Sequence, residues 1–330
     1  MRPVCLTCAA VVLLLAGIPA SAQQVISARS GLVSYVEGQV YMGDKLVDLQ
    51  FGHFPTLGEN AVLRTQEGRA EMLLNPGVFL RLSENSSVKM ITNRLIDSRL
   101  ELLQGSAVVE ADQIAKDNNV TVVVNETAIS VAKAGIYRVD AEPARLRVYS
   151  GDAQVQRGAQ YLSVNGGKTL NLVEETASVQ KFDTKDTDAL DRWSERRGEY
   201  AALANVSAAK SMVDGGGTLT TGIWQWNPWY GMMTFIPATG MLWSPYGYGF
   251  YSPVLVTQAL YYGPPAGFGR VNGAGLTPGA SVARGSTITA APRAASASNA
   301  GSLAGPRMGG APSAGGSAPV SHAGGAGHGR

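Results

Sequence analysis

Three histidines, His53, His322 and His328, set the imidazole chemistry open to this 330-residue chain. His53 stands between Phe51-Gly52 and Phe54-Pro55. A Ser-His-Asp site would have to use it, and no G-x-S-x-G nucleophile motif accompanies it. A loop or packing histidine is the expectation. His322 and His328 lie six residues apart in a Gly-rich tail, and the chain has no H-E-x-x-H, so adventitious metal binding is their ceiling. Gly166-Gly167-Lys168-Thr169 has the ending of a phosphate loop. The first glycine of that pattern would fall within Gln160–Ser163, which holds none, and the run continues into Leu170-Asn171-Leu172. A hairpin turn is expected there.

Two carboxylate pairs bear on glycoside hydrolysis, which needs converging acids. Glu174 and Glu175 are adjacent, so an extended segment points them to opposite faces. Glu195 and Glu199 stand four apart on a solvated helix face. Neither spacing makes the pair converge. Asn85-Ser86-Ser87, Asn125-Glu126-Thr127 and Asn205-Val206-Ser207 match a glycosylation sequon and are expected to be structural turns. No catalytic residue, cofactor or metal ligand is assigned.

The sharpest functional candidates are aromatic. Residues 215–262 hold four of the five tryptophans and twelve of the 24 aromatic residues, with no charge. Trp224, Trp226, Trp229, Tyr230, Trp243, Tyr246, Tyr248 and Tyr251 could stack on a sugar, a peptide or a partner surface. They could equally complete a core, and both roles stay open. Pro228, Pro237, Pro245 and Pro253 argue against central strands in this block.

The elements that must position these residues are unequal along the chain. Met1-Arg2, an apolar run over Val11–Ala16 and Pro19-Ala20-Ser21-Ala22 predict a signal peptide over 1–22, cleaved between Ala22 and Gln23. Both cysteines, Cys5 and Cys8, fall inside it, so disulfides and thiolate chemistry are not expected in the mature chain. No later stretch predicts a membrane span. From Gln23 to Asp214 there are 21 basic and 25 acidic residues; beyond Asp214 only five arginines carry charge. That acidic balance and those scattered arginines speak against nucleic acid as a partner.

Between about residues 25 and 183, short alternating runs broken by Gly, Asn and Asp predict an all-β domain, rolled or stacked from short strands. Gly, any residue, Ala or Val, any residue, Val or Met recurs at Gly38, Gly68, Gly105 and Gly151, with a looser copy at Gly135. The spacing is too uneven for a solenoid, and a reused turn-into-strand device is expected. Asp186-Thr187-Asp188 offers N-caps. Leu190, Trp193, Arg197, Tyr200 and Leu203 follow at helical spacing and predict one amphipathic helix within 184–213, docked by Trp193. The aromatic Pro/Gly-rich segment spans 218–262. A Gly/Ala/Ser/Pro-rich tail over 263–330 is expected to be disordered.

Three stretches resemble the FecR-domain family. They are Ala128–Asp140; Leu146–Val155 with Val164–Lys168; and Asp188–Arg197, with Trp193 and Arg196-Arg197, which is similar to a D-x-W-x-x-x-R helix following the domain. The resemblance covers roughly residues 28–200. It implies an exported β domain. The best-known members relay iron-siderophore status across the inner membrane to a sigma factor, through a cytoplasmic segment and a transmembrane helix. Here a signal peptide alone precedes the domain, so direct sigma-factor contact is not expected.

The expectation is an exported, non-enzymatic binding or sensing module of the periplasm or cell envelope, or beyond it, with an envelope protein or glycan as partner. The alternatives are a structural envelope or matrix component with a spacer tail, and a cryptic carbohydrate-active enzyme.

Overall fold

A computed structural model describes residues 29–49, 54–174, 176, 178–217 and 219–262. The cleavage site at Ala22-Gln23, His53, Glu175 and the whole 263–330 tail with His322 and His328 lie outside the described residues.

One fifteen-stranded sheet dominates the fold. Its first strands are β1 (Leu32–Met42), β2 (Lys45–Leu46), β3 (Val62–Leu73), β4 (Val78–Leu82) and β5 (Ser87–Arg94). Next come β6 (Asp97–Gln104), β7 (Ser106–Ala111), β8 (Asn119–Val124), β9 (Thr127–Val131) and β10 (Gly135–Ala141). The last are β11 (Ala144–Ser150), β12 (Asp152–Arg157), β13 (Gln160–Asn165), β14 (Lys168–Asn171) and β15 (Gln180–Lys181). The order is β13-β12-β9-β8-β6-β5-β3-β4-β7-β10-β11-β14-β15, with β1 on β3 and β2 on β1. Among the described residues its ladders are antiparallel except β6 with β8. β13 and β14 stand near opposite ends of this order, yet only Gly166-Gly167 separates them in the chain. The sheet therefore rolls until its ends meet, which is the rolled β domain expected from the alternation.

The recurring glycines serve this rolling. Gly38 and Gly68 are partners across β1 and β3, and a Cβ on Gly38 would lie 2.1 Å from the Glu67 carbonyl oxygen. Gly105 turns β6 into β7 at φ +76°, where a side chain would strike Ser86.

Alternation sends Met72, Leu80, Val109 and Val139 into the apolar interior of the roll. It sends Glu71, Phe79, Arg81, Val108, Glu110, Ile136 and Arg138 to the other face. That face is also covered, since every residue of β4 and β10 is buried. Its cover is helix α1 (Ala189–Asp214), the hairpin β16 (Ile223–Asn227)–β17 (Met232–Ile236) and the hairpin β18 (Met241–Trp243)–β19 (Gly249–Tyr251), while helix α2 (Pro253–Tyr262) packs through Val256 on α1 and the first hairpin.

α1 starts at 189 rather than 184. Asp188 caps it, its Oδ1 accepting from the Leu190 and Asp191 amides, and the Asp191 carboxylate accepts from the Asp188 amide. The expected apolar stripe holds at Leu190 and Trp193 but not at Tyr200 and Leu203, which are exposed. The buried stripe runs instead through Ser194, Gly198, Ala201, Asn205 and Ala208. Small side chains bring the helix close to its neighbours. Asn205 donates to the carbonyls of Phe235 and Tyr251, tying both hairpins to α1.

The prolines sit where strand hydrogen bonding does not need them. Pro228 and Pro245 are in turns, Pro237 follows β17, and Pro253 opens α2, a helix the sequence did not predict.

Candidate functional site: a charged seam and an aromatic tip

Two charge clusters join α1 to the sheet. In the first, Arg81 of β4 is completely buried and donates from Nε to Glu71 Oε2 at 2.9 Å. Its Nη1 donates to Glu110 Oε2 at 2.5 Å and to Ser194 Oγ of α1 at 2.9 Å. Arg197 of α1 completes a fork on Glu71, with Nη2 to Oε1 at 2.8 Å and Nε to Oε2 at 3.3 Å. Its guanidinium also lies 3.9 Å from the Tyr35 ring centre. Ser194 Oγ in turn accepts from the Tyr246 hydroxyl at 2.9 Å. Burial alone would raise the Glu71 carboxyl, but the Arg197 and Arg81 charges outweigh it and hold the group at about 2.

The second cluster sits at the start of α1. Arg138 of β10 donates to Asp140 Oδ1 at 2.9 Å and to Asp191 Oδ2 at 2.9 Å. It also pairs with Asp188 Oδ2 at 2.6 Å. The capping box thus doubles as an anchor for the helix. The D-x-W-x-x-x-R residues are Asp191, Trp193 and Arg197, and each bonds a different strand. Asp191 accepts from Arg138 of β10, Trp193 Nε1 donates to Glu37 Oε2 of β1 at 3.0 Å, and Arg197 donates to Glu71 of β3.

The aromatic candidates divide. Trp224, 4% exposed, packs edge-on against Phe79 of the sheet at 4.9 Å and against Phe235 at 5.6 Å. Trp226 is partly buried 5.0 Å from Phe54. Tyr246, Tyr248 and Tyr251 are partly buried, the first bonded to α1. Trp229 is the opposite case, 88% exposed at the tip of the β16–β17 hairpin, with Tyr230 beside it 39% exposed. Trp243 is equally exposed on β18. Asn227 braces the tip: its side-chain Oδ1 accepts from the Trp229 and Tyr230 backbone amides, and its Nδ2 donates to the Ala204 carbonyl of α1 and to Ser207 Oγ. The tip is therefore held by α1 rather than by its own turn alone. Tyr35, Phe54, Trp226, Val47, Leu49 and Asp48 line a cleft of about 330 Å³ beside the same hairpin.

Glu195 and Glu199 lie on the exposed face of α1, and Glu174 is exposed. Asn85 and Asn125 occupy left-handed turn positions, with φ of 51° and 45°. Gly167 turns β13 into β14 at φ +77°. Among the described residues, no group of three or more His, Cys, Asp or Glu is placed to hold a metal ion, and no helix is long and apolar enough to cross a membrane.

A rolled β domain with a helix docked on its outer face is the class that these observations define. Residues 61–159 match the FecR protein family. The match runs from the start of β3 to just past β12. It is narrower than the 28–200 expected, leaving β1, β13, α1 and the aromatic hairpins outside. Two crystal structures of a candidate anti-sigma factor from Parabacteroides distasonis are similar at 13% and 14% identity, each with a TM-score of 0.33. They cover 37% and 38% of this chain, which spans 59% and 61% of theirs. No curated protein matches.

Proposed function

We propose that this protein is an exported, non-enzymatic binding module of the bacterial envelope that takes an envelope protein or glycan on the tip of its β16–β17 hairpin. The observation that carries this is Trp229, almost fully exposed yet braced through Asn227 to α1. An exposed indole costs solvation without contributing to the core, and a tip whose backbone is already braced loses less conformational entropy on contact. The non-enzymatic part is supported by four of the buried carboxylates, Glu71, Glu110, Asp140 and Asp191, each tied to a guanidinium, while Asp112 is shut away from solvent. Export is supported by the sequence of residues 1–22, whose early arginine, apolar run and Ala-Ser-Ala ending are those expected of a signal peptide.

The test is retention from native envelope by the purified mature protein, with Trp229→Ala in parallel. Saturable retention lost in W229A supports the proposal. Equal retention by both proteins removes the tip from it.

A further inference from the structure

The seam under α1 holds one acid too many. Three fully buried carboxyl groups, Glu71, Glu110 and Asp112, face two guanidinium groups, Arg81 and Arg197. Glu110 on β7 and Asp112 just beyond it stand two residues apart, so both point to the outer face. Both carboxyl groups are shut off from solvent, and the charge of each bears on the other. Asp112 is 2% exposed, and neither of its oxygens, nor Glu110 Oε1, meets an N–H or hydroxyl donor. Two such buried carboxylates, one with no donor at all, would repel each other without solvent to screen them. One proton between them removes the repulsion, supplies the missing donor and brings the cluster to zero net charge.

We infer that Glu110 and Asp112 share one proton, and that this proton is a latch keeping α1 and the aromatic hairpins docked on the sheet. Losing it to solvent leaves an uncompensated negative charge directly under the helix. The groups facing the pair are Arg81 of β4, Glu71 of β3, Ser194 and Arg197 of α1, and Tyr246 between β18 and β19. Gly198 is the point of closest approach, where a Cβ would sit 3.1 Å from Glu110 Oε1. None of these groups supplies a third positive charge. Burial drives the Asp112 carboxyl well above the ordinary range, and the Glu110 charge pushes the same way. Burial also raises Glu110, against the pull of Arg81.

The sign follows from linkage. The folded state keeps a proton that the unfolded chain releases near pH 4, so the latch is strongest in acid and weakens as pH rises towards the folded value. Across that window the unfolding equilibrium constant should increase about tenfold per pH unit for one proton. Asp112→Asn supplies a permanent donor to Glu110, so the wild-type-minus-variant difference should carry this tenfold slope. Parallel pH profiles for the two proteins would overturn the inference.

Should D112N not fold, carboxyl 13C titration of the wild-type chain decides the matter. One carboxyl at positions 110 and 112 still un-ionised at a pH where exposed carboxyl groups have ionised supports the shared proton; two ionised carboxylates there overturn it. The latch itself is read by chymotrypsin. Cleavage within residues 223–251 should rise with pH in wild type while residues 62–157 stay intact, and should not rise in D112N. Cleavage independent of pH in wild type would overturn the latch.

Discussion

Replacing Arg197 by Met would test whether the charged seam, rather than apolar contact alone, holds α1 to the sheet. The guanidinium gives Glu71 two hydrogen bonds and stacks on Tyr35. Its loss leaves Glu71, with no exposed surface, to Arg81 Nε and Ser34 Oγ. Three buried carboxyl groups would then face one guanidinium. Breaking one side of a buried pair costs about 3–5 kcal/mol, chiefly because the remaining charge is stranded. That is a large share of the roughly 5–15 kcal/mol by which a domain is stable. Met keeps most of the aliphatic volume, so a packing loss is not the main contribution. The assay is urea unfolding of the chain from Gln23 onwards followed by tryptophan fluorescence, on R197M, Glu71→Gln and the double variant. The stranded charge is absent in the double variant, so it should be at least about 1 kcal/mol more stable than additivity requires. A cost for R197M below about 1 kcal/mol, or strict additivity, would refute the ionic account of the seam.

Further outcomes follow from neighbouring contacts. Trp224→Ala should cost about 3–5 kcal/mol in the same assay, because it empties a site packed between Phe79 and Phe235. Trp229→Ala should change stability by no more than about 0.5 kcal/mol, as expected of an exposed side chain. Gly198→Ala normally gains up to about 1 kcal/mol in a helix, but here its Cβ presses on Glu110 and on the Tyr246 ring at 3.2 Å, so thermal unfolding should show a net loss of about 1 kcal/mol. Acid should also destabilise the chain. Glu71 is held at about 2 when folded against 4.5 otherwise, so its stabilisation is complete above pH 4.5 and is lost as pH falls towards 2. An E71Q variant should lack that share, about 3 kcal/mol, in an acid titration.

The strands were legible because their alternation separates an apolar face from a polar one. The same alternation hid the seam. In Val78-Phe79-Leu80-Arg81-Leu82 an arginine at an outward position reads as a solvent-facing charge, yet α1 covers it. Phe79, outward beside Arg81, was the available sign that this face is covered. The helix was legible from its N-cap residues and Trp193, whereas its buried stripe was not. Ser194, Gly198, Ala201 and Asn205 carry little hydrophobic signal, and they matter because they are small or can bond across the interface. In the aromatic block, composition could not separate Trp224 from Trp229. Only the partners do so: Phe79 lies far away in sequence, and the brace from Asn227 depends on α1.

The central claim is that the aromatic hairpins are part of the folded domain, closing its charged face and presenting Trp229. Native-state amide hydrogen exchange on the chain from Gln23 onwards tests it most directly. β16, β17 and β19 should exchange as slowly as β4 and β7, with the Trp229-Tyr230 tip faster. Exchange of residues 223–251 at unprotected rates, while β4 and β7 stay protected, would contradict it.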